Sequence, residues 1–216
     1  MRVQMLLRLI ALVVGCTAML GLPALAADKP LQIVALGDSL TAGLGLESQD
    51  AFPAKLQQAL AAKGIAATIT NAGVSGDTMT NGLARLDWSV PPGTDAVILE
   101  LGANDALRGI DPAVTRRALD GILSGLAKRK IPVLLAGMLA PRNLGTDYAR
   151  QFDAIFPDLA KANGVVFYPF FLDGVAADAK LNQHDGLHPT AAGVDVIVAK
   201  ILPKVEELIA RAKAQH

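Results

Sequence analysis

Residues 95–101 read DAVILEL, apolar at nearly every position where a half-exposed strand would alternate. Such a run predicts a strand covered on both faces, which requires helices above and below the sheet that contains it. The rest of the chain has the matching rhythm. Short β-rich runs at 31–36, 66–71, 131–139 and 165–168 alternate with helix-length amphipathic segments. Residues 52–63 place Phe52, Leu56, Ala59 and Leu60 on one helical face and stop at Gly64. Residues 78–86 and 148–162 also read as helices, the second ending at Asn163-Gly164. Residues 112–130 form a helix that Asp111 is placed to cap, with Pro112 at its first position. From Pro189 onward the tail is helical, interrupted or restarted at Pro203. Five strands in this alternation predict an α/β fold, a flavodoxin-like three-layer sandwich with a five-stranded parallel sheet between helices.

In open parallel sheets the ligand site lies beyond the carboxyl ends of the strands. Polar, glycine-rich clusters should therefore follow strands, and they do. Gly37-Asp38-Ser39-Leu40 follows the first, Asn71-Ala72-Gly73 the second and Gly102-Ala103-Asn104-Asp105 the third. After the fifth comes a turn, Gln183-His184-Asp185-Gly186-Leu187-His188-Pro189, holding two of the chain's three histidines. The third, His216, is the last residue. Asp185 stands three residues before His188, a spacing that lets a carboxylate steady an imidazole from the same turn. His184 is a rival base, but adjacent residues diverge in direction, which favours Asp185–His188 as the pair.

A histidine base needs a client. Ser39 lies where a strand turns into a helical segment, so its hydroxyl would face the rim. Taken alone it reads as an ordinary turn or N-cap serine. A serine hydroxyl becomes a nucleophile only with a base in hydrogen-bond reach. His188 can serve, with Asp185 fixing its tautomer. Acyl transfer also needs neutral donors aimed at the oxyanion of the tetrahedral intermediate. The Gly73 N–H and the Asn104 side-chain amide are candidates, although each reads alone as a turn residue. Asp38 would hold the nucleophile turn by accepting backbone N–H groups, and Asp105 would support the Asn104 loop.

The first 26 residues read as an export signal: Arg2 and Arg8, an apolar run over 9–22, then Ala24-Leu25-Ala26 with small residues at the cleavage positions. The run is short of the ~20 residues that span a bilayer. Cys16 after Val13-Val14-Gly15 loosely resembles a lipoprotein box, a lesser alternative. Residues 27–216 are long enough for one domain with a buried core. Without the signal, 18 basic residues face 20 acidic ones, a balance that does not recruit nucleic acid. The single cysteine leaves with the signal, so neither disulfide nor thiol chemistry is available.

Gly37-Asp38-Ser39-Leu40-Thr41-Ala42-Gly43 resembles the first block of the GDSL, or SGNH, hydrolases. Gly73 in Asn71-Ala72-Gly73-Val74-Ser75-Gly76-Asp77-Thr78 resembles the second block, Gly102-Ala103-Asn104-Asp105 the third and Asp185-Gly186-Leu187-His188-Pro189 the last. Alanine stands at 103, where many relatives have glycine or threonine. The stretch from 101 to 109 is most similar to the exported bacterial branch called thioesterase I, lysophospholipase L1 or arylesterase. The resemblance implies Ser39 as nucleophile, His188 as base then acid, and Asp185 as its orienter. It also implies an oxyanion hole from the Ser39 N–H, the Gly73 N–H and the Asn104 amide. The loop over 139–148 would contact the acyl chain through Pro141, Asn143, Leu144 and Gly145. No metal or organic cofactor is implied. Substrates would be small acyl or aryl esters or lysophospholipids, met by a periplasmic or secreted monomer with no stable membrane insertion.

Other readings stand beside it. A carbohydrate O-acetylesterase would use the same site. A flavodoxin-like binding module would hold a phosphate or flavin on the loop over 37–45, which lacks the dense Ser/Thr run of such a cradle. A metal site would have to turn His184, Asp185 and His188 into ligands.

Overall fold

The computed structural model describes residues 29–215; the signal segment 1–26, with Cys16, and His216 lie outside them. Among the described residues five strands form one all-parallel sheet in the order β2-β1-β3-β4-β5. They are β1 (Leu31–Gly37), β2 (Ala67–Gly73), β3 (Ala96–Glu100), β4 (Val133–Ala136) and β5 (Val166–Tyr168). The α-helices are α1 (Ser39–Ala42), α2 (Phe52–Ala62), α3 (Met79–Ala84), α4 (Leu86–Ser89), α5 (Ala103–Leu107), α6 (Pro112–Lys128), α7 (Thr146–Asp153), α8 (Ile155–Asn163) and α9 (Ala191–Lys213).

Every residue of β3 is buried, as the run at 95–101 requires. One face is covered by α2 and α9, which pack on each other while α9 also crosses β3, β4 and β5. On the other face α3, α6 and α8 pack together. From β1 the chain crosses one way to β2, and from β3 it proceeds the other way to β4 and β5. That reversal opens a crevice beyond the carboxyl ends of β1 and β3. Gly37 is the register partner of both Gly73 and Glu100, so three of the polar clusters start side by side.

Several elements differ from the sequence expectation. The fourth strand is shorter than 131–139: the Ile131 N–H is taken by the Leu126 carbonyl closing α6, and Gly137 turns to bond Tyr168 and Phe171. The helix expected over 78–86 starts later because Thr78 caps it through Asn81, and it ends at Arg85 before α4. The helix expected over 148–162 is two, α7 and α8. Pro157 lacks the N–H that would bond the Asp153 carbonyl, so the ladder is cut there. Conversely α9 runs unbroken through Pro203. A proline inside a helix costs about 3 kcal/mol. Burying Val194, Ile197, Val198, Ile201, Val205 and Leu208 returns about 1.5–3 kcal/mol each, which outweighs it.

Candidate active site

Asp38 caps α1 by accepting the Leu40 N–H at 3.0 Å, and Gly43 ends the helix in the left-handed region. This four-residue helix carries Ser39 at its first position, leaving its N–H without an acceptor among the described residues. The Ser39 hydroxyl lies 2.8 Å from His188 Nε2, across 149 residues of sequence. On the other side of the ring, Nδ1 lies 2.6 Å from Asp185 Oδ2. The remaining carboxylate oxygen accepts the N–H groups of Leu187 (2.9 Å) and His188 (3.0 Å). Those two N–H groups, with the ring, hold the Asp185 carboxyl well below the usual carboxylate range. The network fits one tautomer, with Nδ1–H donating to Asp185 and Nε2 accepting from Ser39.

The histidine turn is tied down from outside. Gly186 takes a positive φ of 69°, and Gln183 donates from Nε2 to the carbonyls of Leu44 (2.8 Å) and Pro189 (2.9 Å). Gln183 thereby joins the loop after α1 to the turn that carries His188. Gly45 makes the approach possible, since a Cβ there would meet Gln183 Oε1 at 2.2 Å. His184 is exposed, and it is His188 that reaches Ser39. No group of three metal-ligating side chains occurs among the described residues.

The other expected donors are nearby but engaged. The Gly73 N–H donates to Asn71 Oδ1 at 3.0 Å. Asn104 Nδ2 donates to the Asp77 carbonyl at 3.0 Å and to Asp38 Oδ2 at 3.3 Å. Gly73 also has a packing reason to be glycine: a Cβ would meet Ala42 N at 2.3 Å and Asp38 O at 2.8 Å. Asp105 is buried and accepts from the Met79 N–H (2.8 Å) and the Thr115 hydroxyl (2.9 Å), joining α5 to α3 and α6. Burial pushes its carboxyl up.

Ser39, Asn104 and His188 open into a cavity of about 510 Å³. Its walls are mostly apolar, with Met138, Phe170 and Leu172 inside and the exposed leucines 44, 107, 139 and 187 around it. Of the loop residues expected to touch substrate, Pro141 lines the cavity; Asn143, Leu144 and Gly145 do not. Those three close a 3-10 turn that leads into α7. Sequence reasoning passed over the leucines and Phe170 because a rim leucine has no local pattern. The four leucines come from four different connections, and Phe170 shares that of Leu187.

It also passed over Arg85, buried beneath the site. Its guanidinium pairs with Asp77 at 2.6 Å and donates to the carbonyls of Ala72 and Gly37, the ends of β2 and β1.

The sequence model of the GDSL-like lipase/acylhydrolase family matches residues 35–196. Esterase TesA of Pseudomonas aeruginosa is 35% identical over 196 residues, 90% of this chain and 96% of that protein. Thioesterase 1/protease 1/lysophospholipase L1 of Escherichia coli K12 is 35% identical over 82% of this chain and 84% of its own length. The crystal structure of AlinE4, an SGNH-hydrolase family esterase, superposes with a TM-score of 0.71 at 48% identity, covering 83% of this chain and 96% of that one. With the match running from the first strand into the last helix, the chain belongs to the GDSL-like lipase/acylhydrolase family and is a carboxylic ester hydrolase.

Proposed function

We propose that Ser39 is the nucleophile of an acyl-enzyme mechanism, with His188 as base and acid and Asp185 as its orienter. The observation that carries this is the unbroken line from Asp185 Oδ2 through the His188 ring to the Ser39 hydroxyl, at 2.6 and 2.8 Å. Ser39 Oγ attacks the ester carbonyl as its proton passes to His188 Nε2. Collapse of the tetrahedral intermediate breaks the bond to the leaving group, which takes that proton. Water then attacks the acyl-enzyme, giving its proton to the same nitrogen, and Ser39 recovers one as the acid departs.

The oxyanion would be held by the Ser39 N–H, the Gly73 N–H and the Asn104 amide. The first is free to donate. The other two reach it by exchanging internal partners: Asn71 Oδ1 for Gly73, and the longer contact to Asp38 for Asn104.

The apolar cavity and its leucine rim favour an acyl chain longer than acetyl on the acid side of the ester. Candidate substrates are medium-chain acyl and aryl esters, thioesters and lysophospholipids, with Pro141 the loop residue in reach of the chain. Residues 27–216 would act as a single monomeric domain, exported to the periplasm or beyond after loss of 1–26. Among the described residues no helix is long and apolar enough to cross a membrane.

Purified Ser39→Ala and wild type, assayed on p-nitrophenyl esters of rising chain length, test both parts. The expected result is loss of turnover in Ser39→Ala with folding intact, and a wild-type preference for chains longer than acetyl. Substantial turnover by Ser39→Ala overturns the mechanism; a sharp preference for acetate overturns the substrate class in favour of an O-acetylesterase.

A further inference from the structure

Three buried acids, Asp38, Asp105 and Glu100, take no step in ester hydrolysis by Ser39, His188 and Asp185, and of these only Glu100 keeps an oxygen without a hydrogen-bond partner. Glu100 ends β3 with no exposed surface, beside Gly37 in the sheet and so beneath the turn that carries Asp38 and Ser39. Its Oε2 accepts from the Thr41 hydroxyl at 2.7 Å, and its Oε1 is buried without a hydrogen-bond partner. Gly37 leaves room for this contact, since a Cβ there would meet Thr41 Oγ1 at 2.0 Å. Thr41 belongs to α1, two residues after Ser39. Glu100 therefore anchors the nucleophile's helical turn to the central strand.

Asp38 is equally buried and close enough for the two carboxyls to repel. Two neighbouring buried carboxyls do not both ionise. The charge belongs on the better-solvated partner. Asp38 has the Leu40 N–H and the Asn104 amide as donors and lies in the field of His188. Glu100 has the Thr41 hydroxyl on one oxygen and the N–H groups of Asp38 and Thr41 nearby, but its Oε1 is left without a partner. An ionised carboxylate with an unpaired buried oxygen costs far more than a neutral acid in the same place.

Among the described residues no basic side chain forms an ion pair with Glu100. The buried positions of α2 and α9, which cover this face, are apolar or glycine. Tyr168 shares the row with Glu100 across Ala136, and Asp105 acts on Asp38. Arg85, whose Nη2 donates to the Gly37 carbonyl, is already paired with Asp77.

We propose that Glu100 is a positioning residue held as the neutral carboxylic acid, bracing Thr41 and α1 while the pair's single negative charge stays on Asp38. Burial raises both carboxyls, Asp38 to about 6 and Glu100 well above its ordinary range; the Thr41 hydroxyl and the nearby N–H groups of Asp38 and Thr41 are outweighed. Ionising Glu100 at alkaline pH would set a second anion against Asp38 and displace the turn. Its effect on turnover rests on Ser39 being the nucleophile; its protonation does not.

Two measurements on the purified chain separate these. The first is denaturant unfolding of wild type and Glu100→Gln between about pH 6.5 and 8. A glutamic acid neutral when folded and ionised when unfolded releases one proton on unfolding. The wild-type unfolding constant should then rise about tenfold more per pH unit than that of Glu100→Gln. Equal slopes overturn the proposal. The second is kinetic. Glu100→Ala should lower kcat on the order of 10–100-fold at little-changed KM, as expected for a misplaced reacting group. Glu100→Gln should restore most of it and keep its activity at alkaline pH where wild type declines. If Glu100→Ala does not fold, Thr41→Val removes the same brace and should show the same kcat loss. Failure of glutamine to rescue, or a full kcat in Thr41→Val, overturns the proposal. Turnover by Ser39→Ala would instead remove the serine mechanism and leave the proton linkage standing.

Discussion

Asp185 holds His188 at both ends, one carboxylate oxygen 2.6 Å from the ring Nδ1 and the other 3.0 Å from the backbone nitrogen of the same residue. The backbone bond sets where the imidazole sits, and the ring bond sets which nitrogen carries the proton. Asp185→Asn separates the two roles, because an amide can still accept from the backbone while its NH2 group favours the wrong tautomer. The expected outcome is a fall in kcat on the order of 10²–10⁴-fold with KM little changed. Steady-state kinetics on a p-nitrophenyl ester read it directly; a loss confined to KM would contradict the assignment.

Gly73 is pressed against α1, so Gly73→Ala should disturb the serine turn even though the backbone N–H is kept. The new Cβ would collide with backbone atoms of Ala42 and Asp38, which cannot rotate away. Overpacking of this kind costs about 1–3 kcal/mol. Denaturant melts should show that loss together with a fall in kcat. A variant of wild-type stability and rate would show that β2 and α1 have slack the structure lacks.

Arg85 is buried with four hydrogen bonds from its guanidinium, to an acid, a serine hydroxyl and two strand-end carbonyls. Arg85→Ala strands Asp77 as a mostly buried anion, and breaking such a pair from one side costs about 3–5 kcal/mol. For a domain of this size that is a drop in Tm of roughly 2–4 °C per kcal/mol. Calorimetry checks it; a shift within a degree of wild type would mean that the pair adds nothing.

Asp38 makes stability depend on pH in a fixed direction. Its carboxyl titrates at about 6 when folded and near ~3.9 when unfolded, so the folded state binds the extra proton between those values. The stabilisation is therefore complete below ~3.9 and is lost as pH rises through about 6, by about 3 kcal/mol in total. Asp38→Asn removes this contribution. Unfolding free energies of the two proteins should differ in slope across that window and run parallel above it. A wild type that gains stability relative to the variant as pH rises would reverse the assignment.

Much of this was legible in the residues. The run at 95–101 announces a doubly covered strand, the clusters at Ser39, Gly73 and Asn104 each follow a strand end, and the Asp185–His188 turn is marked by its spacing. Local chemistry reads well where one turn contains the whole device, as with Asp185 and His188 three residues apart. It reads poorly where a local rule competes with packing. Pro203 should break a helix and does not, because an apolar face buried along α9 outweighs one missing hydrogen bond. Pro157 does break one, and a single-helix reading of 148–162 missed it.

The sequence by itself determined the order of strands and helices, and with it the rim where the polar clusters gather. Periodicity and turn chemistry are properties of neighbouring residues. Only the tertiary structure decided that the Ser39 hydroxyl meets His188 across 149 positions. It alone showed that Gln183 and Arg85 hold the pieces, that leucines from four separate segments form one cavity mouth, and that Glu100 lies beside Asp38. Each of these depends on distance between side chains far apart along the chain, and sheet register and helix packing set that distance.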